Sequence, residues 1–304
     1  MRALEVHPGV IRRVSWRLLL LICVLSVPAV ATEGPQVGEP RPVLELDGLQ
    51  SCRFLGADAP GGPALVCGRL NEAAFAWEII RVPLDEAGAP AGEPTAIGYG
   101  SQPDVRGSML AWVGTEPDSE GVWLDDLADD EPPVRLTLQR DMTQPSIAAD
   151  GETVACTRRT TKRDGIFLVD RNNSKPVRLA YQDERQPVWG PTGTWMLAIK
   201  SDHVWLLDAP RWEELVSERL TDEPMVHFDP AWGPRGEWIT FAAGWTVERA
   251  GLALMHLASR RTWWPVPDLS GVRSPAISED RSKLAFIATE GEATVVYVCA
   301  LQLK

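Results

Sequence analysis

The sequence predicts an all-β fold, a six-bladed β-propeller of four-stranded antiparallel blades, and three observations support it. A dipeptide ending in proline recurs at Gln102-Pro103, Gln144-Pro145, Gln186-Pro187, Asp229-Pro230 and Ser274-Pro275, at intervals of 42, 42, 43 and 45 residues. Each proline is followed by a short strand-like run, a Gly- or Asp-bearing turn, an apolar run, a polar loop and a second apolar run. A period of about 40 to 45 residues with several short strands per repeat marks a propeller. The ends of the chain also complement each other. The last repeat stops at Lys304 after its third strand, while Arg41-Pro42-Val43-Leu44-Glu45-Leu46 copies the fourth-strand pattern of Pro133-Val134-Arg135-Leu136 and Pro176-Val177-Arg178-Leu179. The N-terminal strand is therefore expected to complete the C-terminal blade and close the ring, because an unpaired edge there invites aggregation.

Taken in order, residues 1–31 read as a secretory signal: Arg12, Arg13 and Arg17 precede an apolar run from Leu18 to Val30, and Ala29-Val30-Ala31 is a small-x-small cleavage site before Thr32. That run is too short to span a bilayer. Cys23 follows a bulky Ile22, which argues against lipidation. Residues 32–40 are a polar, Gly/Pro-bearing linker, and 41–304 are the propeller. The second strands align as Leu110-Ala111-Trp112, Val154-Ala155-Cys156, Leu197-Ala198-Ile199, Ile239-Thr240-Phe241 and Leu284-Ala285-Phe286, with Leu65-Val66-Cys67 as a sixth copy lacking the proline. The third strands align as Phe75-Ala76-Trp77, Gly121-Val122-Trp123, Gly165-Ile166-Phe167, His203-Val204-Trp205, Gly251-Leu252-Ala253 and Thr294-Val295-Val296. Short runs rich in Val, Ile, Trp and Phe between Gly, Pro and Asp read as strands.

The segments Pro187-Val188-Trp189-Gly190-Pro191-Thr192-Gly193 and Pro230-Ala231-Trp232-Gly233-Pro234-Arg235-Gly236 closely resemble the Pro-x-Trp-Ser-Pro-Asp-Gly signature of the WD40-like (PD40) repeats of the TolB propeller family. Ile147-Ala148-Ala149-Asp150-Gly151 and Ile277-Ser278-Glu279-Asp280-Arg281 are degenerate copies. The resemblance covers residues 42 to 304. It implies a bacterial envelope protein that binds partners, although TolB carries an α/β domain ahead of its propeller for which this chain has no room, which puts a Tol-Pal role in doubt.

Composition narrows the function classes. The chain has a formal net charge of −12, and because residues 1–31 hold four arginines and one glutamate, the remainder carries −15. Such a surface repels phosphates, so nucleic acid is not an expected partner. With the signal removed, no segment is long enough to span a membrane, and a monomer in the periplasm or outside the cell is expected. Four cysteines remain: Cys67 and Cys156 fall on core positions of second strands and Cys299 on a third strand, while Cys52 lies in register to face Cys67, which raises a bridge as a possibility.

No Gly-x-Ser-x-Gly, His-Glu-x-x-His, Cys-x-x-Cys or phosphate-cradling loop is present, so no catalytic residue, cofactor or metal is expected. Acidic pairs such as Asp125-Asp126 and Glu213-Glu214 read as solvated loop charges, and His203 and His256 as strand-end residues. Loops joining second to third strands share a face with loops joining one blade to the next. That face collects Arg140, Asp141, Arg158, Arg159, Lys162, Arg163, Asp183, Arg185, His227 and Asp229, with a notch expected beside the tight turn Ser201-Asp202. Trp245, in a polar loop where the core needs no aromatic, joins them as a contact anchor. The leading expectation is a secreted, non-enzymatic scaffold whose partner is a protein or envelope component. The alternative is a glycan- or peptide-directed hydrolase or lyase acting at the central channel.

Overall fold

The computed structural model describes residues 34–160, 165–179, 183–208 and 217–303. The proposed signal segment and the Lys162–Arg163 pair lie outside the described residues. Six sheets of antiparallel strands follow one another along the chain. Blade 1 is built from Leu49–Leu55, Ala64–Asn71, Ala76–Pro83 and Thr95–Tyr99, and blade 2 from Ser101–Arg106, Met109–Gly114, Gly121–Asp126 and Val134–Arg135. Blade 3 comprises Met142–Ile147, Thr153–Arg158, Gly165–Asp170 and Asn173–Arg178, and blade 4 comprises Arg185–Trp189, Trp195–Lys200, His203–Asp208 and Ser217–Arg219. Blade 5 comprises Val226–Trp232, Trp238–Gly244, Gly251–His256 and Arg261–Trp263. No α-helix occurs among the described residues, so none crosses a membrane; Val247–Arg249 form a single 3₁₀ turn.

Blade 6 holds Ser270–Ile277, Lys283–Glu290 and Ala293–Gln302, and its outer strand is Arg41–Glu45, with Leu44 opposite Val296 and Glu45 opposite Val295. The closure read from the Pro-Val-x-Leu pattern is thus the observed one. The segment expected as a linker contributes as well: Gln36 and Val37 pair with Gln302 and Leu301 at the far end of the same edge. The ten-residue strand Ala293–Gln302 is long enough to take both pieces.

The core is divided among the seams. Each of six apolar clusters joins two neighbouring blades, as where Leu110 and Trp112 of blade 2 meet Val66 and Ile79 of blade 1. Small and medium side chains on alternate strand positions serve this packing, because each sheet buries both faces against its neighbours. The hydrogen-bonded register corrects three of the repeats as aligned by sequence. Phe286 pairs with Tyr297, so blade 6 contributes Val295-Val296-Tyr297 rather than Thr294-Val295-Val296 at the place of Gly121-Val122-Trp123. Val188 pairs with Leu197, so blade 4 contributes Met196-Leu197-Ala198 at the place of Leu110-Ala111-Trp112. Cys67 pairs with Ile80, so the third strand of blade 1 is Glu78-Ile79-Ile80 rather than Phe75-Ala76-Trp77. Its hairpin runs on to Asn71 and Ala76 before turning, which displaces the aromatic pair outward and leaves Phe75 92% exposed.

Candidate functional site

The recurring dipeptides form the wall of the central channel. Gln102, Gln144, Gln186, Asp229 and Ser274 all have φ between 49° and 55°, a left-handed conformation that non-glycine residues rarely adopt, least of all before proline. Each sits where the register between first and second strands shifts, at a β-bulge. The kink frees the main-chain N–H of this residue from its own sheet, and the preceding blade supplies an acceptor. Gln144 donates to Oε1 of Gln102 (2.7 Å), Gln186 to Oε1 of Gln144 (3.3 Å) and to Oγ1 of Thr157 (2.8 Å), Asp229 to Oε1 of Gln186 (2.9 Å), and Ser274 to Oδ2 of Asp229 (2.9 Å). Blade 6 hands on to blade 1 through Cys52 N–H and Oγ of Ser274 (2.9 Å). The chain breaks between blades 1 and 2, where Ser51 replaces the glutamine and its buried Oγ has no partner.

A second tier lies one step toward the turns. Asp104 accepts from the N–H of Ile147 (2.8 Å), Ser146 accepts from the N–H of Trp189 (3.0 Å), and the Trp232 indole donates to the carbonyl of Val188 (2.9 Å). Arg53 bridges the broken seam: its Nε lies 3.4 Å from Asp104, and its Nη1 donates to the Cys52 carbonyl and to Oγ of Ser274. Burial pushes the Asp104 carboxyl above the ordinary carboxylate range, against the pull of Arg53 and the Ile147 N–H. Burial also raises Asp229, against the Ser274 N–H, Arg53 and Arg273.

Between these tiers the channel narrows to a neck of about 110 Å³ lined by the dipeptides. Toward the turns that join first to second strands it widens into a funnel of about 860 Å³. Arg53, Asp104, Ser146 and Val188 line both, so the two are continuous. The funnel wall combines Phe54, Trp189, Trp232 and Ile277 with the guanidinium of Arg106, which crosses from blade 2 to the carbonyls of Trp189 and Gly190 in blade 4 (both 3.1 Å). Its rim on blades 1 and 6 is acidic, with exposed Asp58, Asp85, Glu86, Glu279 and Asp280.

The residues singled out by sequence divide between two places. Arg158, Arg159, Asp183, Arg185 and the Ser201-Asp202 turn surround a notch of about 200 Å³ on the opposite face. Its charges are largely paired within the protein: Arg158 with Asp141 (2.7 Å), Arg185 with Asp202 (2.6 Å) and Lys200 with Glu184 (2.7 Å). Arg140 is drawn away toward Glu120 (3.3 Å). Trp245 is 70% exposed on its own loop. Two residues are not on that face as expected. Asp229 belongs to the channel ring, because the bulge turns it inward. His227 is fully buried, with Nδ1 on the carbonyl of Asp202 (2.8 Å) and its ring 5.3 Å from that of His203. Cys52 and Cys67 do face each other in register, yet both are free thiols. Cys52 Sγ donates to the Ser274 carbonyl (3.3 Å), and burial raises its pKa to about 12, which disfavours a reactive thiolate there. The glutamine ring was missed, although its signal was visible: every residue before the repeated prolines carries a side-chain acceptor.

No family model and no curated protein matches the chain. Its fold is that of solved propellers at low sequence identity. TolB from Acinetobacter baumannii superposes with a TM-score of 0.59 at 14% identity, over 76% of this chain and 61% of that one, so the chain spans about three fifths of that relative's length. The putative TolB from Agrobacterium tumefaciens gives 0.61 at 16%, over 88% of this chain and 100% of that one. A puromycin hydrolase gives 0.53 at 14%, over 90% of this chain and 53% of that one.

Proposed function

We propose that this chain is an exported, non-enzymatic propeller that receives a segment of a protein or envelope component in the funnel. The single observation behind the reading is the funnel itself. A concavity of about 860 Å³ with aromatic walls and a few fixed polar groups has the size and lining of a ligand site, which usually spans about 300–1,000 Å³. Export rests on the arginine-led apolar segment and small-x-small site of residues 1–31. The TolB-like fold fits a binding role.

The alternative, a hydrolase or lyase, draws on the two raised carboxyls of the channel. Their oxygens are already engaged, those of Asp104 by Ile147 N–H and Arg53, and those of Asp229 by Ser274 N–H and Gln186 Nε2. Groups held in this way serve the ring more readily than proton transfer. The test is capture of partners by the mature protein, followed by two variants. Ala57→Trp places a bulky side chain on the exposed funnel rim and is expected to weaken binding about tenfold or more. Trp245→Ala on the opposite face is expected to leave it unchanged. The reverse pattern moves the site to the Trp245 face and overturns the reading.

A further inference from the structure

The funnel has two unlike sides. On blades 4 and 5 its wall is apolar: Val188, Pro191, Trp232 and Pro234 are half-buried there, and no charged residue of those blades lines it among the described residues. The indole bond to the Val188 carbonyl fixes Trp232, so this surface is in place before anything binds. The other side lies on blades 6 and 1, with blade 1 across the ring from blade 4. Six acidic residues line the funnel against three basic ones, and setting aside the raised Asp104 still leaves five against three. The basic ones are used inside the protein. Arg53 faces Asp104 (3.4 Å), Lys283 faces Asp280 (3.6 Å), and Arg106 is turned to the carbonyls of Trp189 and Gly190. Asp58, Glu86 and Glu279 are exposed, and their carboxylates have no hydrogen-bond or ion-pair partner among the described residues. This excess is a property of the funnel and not only of an acidic chain, because the notch on the opposite face is lined by three basic and three acidic residues.

We propose that the occupant of the funnel is an extended polypeptide segment in which basic and apolar residues alternate. Its Lys or Arg side chains pair with Asp58, Glu86 and Glu279, and its apolar side chains pack on Pro191, Trp232 and Pro234. The inference rests on the funnel reading above and adds the chemistry of the partner. Successive side chains of an extended chain point to opposite sides, so such a segment presents one kind of residue to each side of the funnel. Opposite charge steers the encounter, and burial of apolar surface holds it. A neutral segment lacks the first of these and a wholly polar one the second.

The experiment titrates the mature protein with three pentapeptides, each acetylated and amidated at its ends: Lys-Leu-Lys-Leu-Lys, Gln-Leu-Gln-Leu-Gln and Lys-Gln-Lys-Gln-Lys. Tryptophan fluorescence and calorimetry follow binding at two ionic strengths. The first peptide should bind about tenfold more tightly than either of the others, and added salt should weaken it. Asp58→Asn, Glu86→Gln and Glu279→Gln combined should lower its affinity about tenfold and remove most of the salt dependence. Glu72→Gln, Asp268→Asn and Glu292→Gln combined change the net charge equally at exposed positions of the opposite face, and should leave both unchanged. Equal losses in the two triple variants show attraction to net charge alone and overturn the site. So does a failure of the first peptide to bind saturably, or equal binding of either glutamine-bearing peptide. Ala57→Trp separates this inference from the funnel reading. If it weakens both leucine peptides while they bind alike, the funnel reading stands and the basic partner falls. If it spares the lysine–leucine peptide, that peptide binds elsewhere and both fall.

Discussion

Five of the six seams in this ring are joined in one way and the sixth in another. From blade 2 round to blade 1, a side chain beside the channel accepts from a main-chain N–H of the next blade. Between blades 1 and 2 that link is missing, and two substitutes appear. One is the Arg53–Asp104 ion pair. The other is Gly68, whose position in blade 1 is filled by Val113, Thr157, Ile199, Ala242 and Ile287 in the other blades. A Cβ there would lie 3.0 Å from Cδ of Pro103 and 3.3 Å from the N of Gln102. The repeat that lost its proline dipeptide thus holds its neighbour by close backbone approach and charge. Redundant seams tolerate the loss of one contact; this one has little redundancy.

The largest effect should come from opening the ring. Deleting residues 34–45 removes both strands that pair with Ala293–Gln302 and leaves an edge of ten residues bare. The variant should aggregate or lose its single cooperative transition, as read by size-exclusion chromatography and calorimetry. A monomer with an unchanged Tm removes the closure from the account of stability.

The next pair compares the seams directly. Arg53→Met strips the counter-charge from a buried carboxylate in the seam that has no glutamine link, at a cost of about 3 kcal/mol. Gln186→Met breaks the link from blade 4 to blade 5, where it leaves the Asp229 N–H and one Asp229 oxygen without partners. Its cost should be nearer about 1–2 kcal/mol, because the Trp232 indole still ties blade 5 to Val188. Denaturant unfolding of both variants ranks them, and a costlier Gln186→Met reverses the comparison. Gly68→Ala tests the close approach alone and should cost about 1–2 kcal/mol by overpacking against Pro103.

Blade number, order and closure were legible because they rest on local signals: a proline every 42 to 45 residues and a Pro-Val-x-Leu strand at the wrong end of the chain. Register was less so. Blade 4 slipped by one because Met196 and Leu197 are equally apolar, and a pairing is decided across strands rather than along them. The notch on the predicted face emerged from strand alternation and a short turn at Ser201-Asp202. The channel site did not, because its bonds join residues 42 to 45 apart and depend on left-handed backbone that a residue before proline is expected to avoid. Asp229 looked like a loop charge beside His227 for the same reason. What the letters did hold was the acceptor chemistry of Gln, Gln, Gln, Asp and Ser.

The smallest effect is a pH dependence, and it separates the two kinds of seam once more. Asp104 serves the ion-paired seam and Asp229 a linked one, and burial raises both carboxyls above the ordinary carboxylate value of about 3.9. In the window between that value and the raised ones, the folded protein binds more protons than the unfolded chain. Stability contributed by these groups therefore rises as pH falls through the raised values and is lost as pH climbs back. Asp280 acts in the opposite sense. Burial pushes its carboxyl up, but the hydroxyls of Ser278 and Ser282, the Ser282 N–H and Lys283 together outweigh that and bring it down to about 2, so its contribution is present at neutral pH and disappears toward that value. Asp229→Asn keeps an acceptor for the Ser274 N–H but turns an NH₂ toward Gln186 Nε2, so it should flatten the Tm profile in the window just above the ordinary carboxylate range and lower Tm slightly at neutral pH. Asp104→Asn should flatten the same window and lower Tm further at neutral pH, because Arg53 then stands without its ion-pair partner in a seam that has no glutamine link. If Asp229→Asn lowers Tm at neutral pH as much as Asp104→Asn, the two seams are not held in different ways.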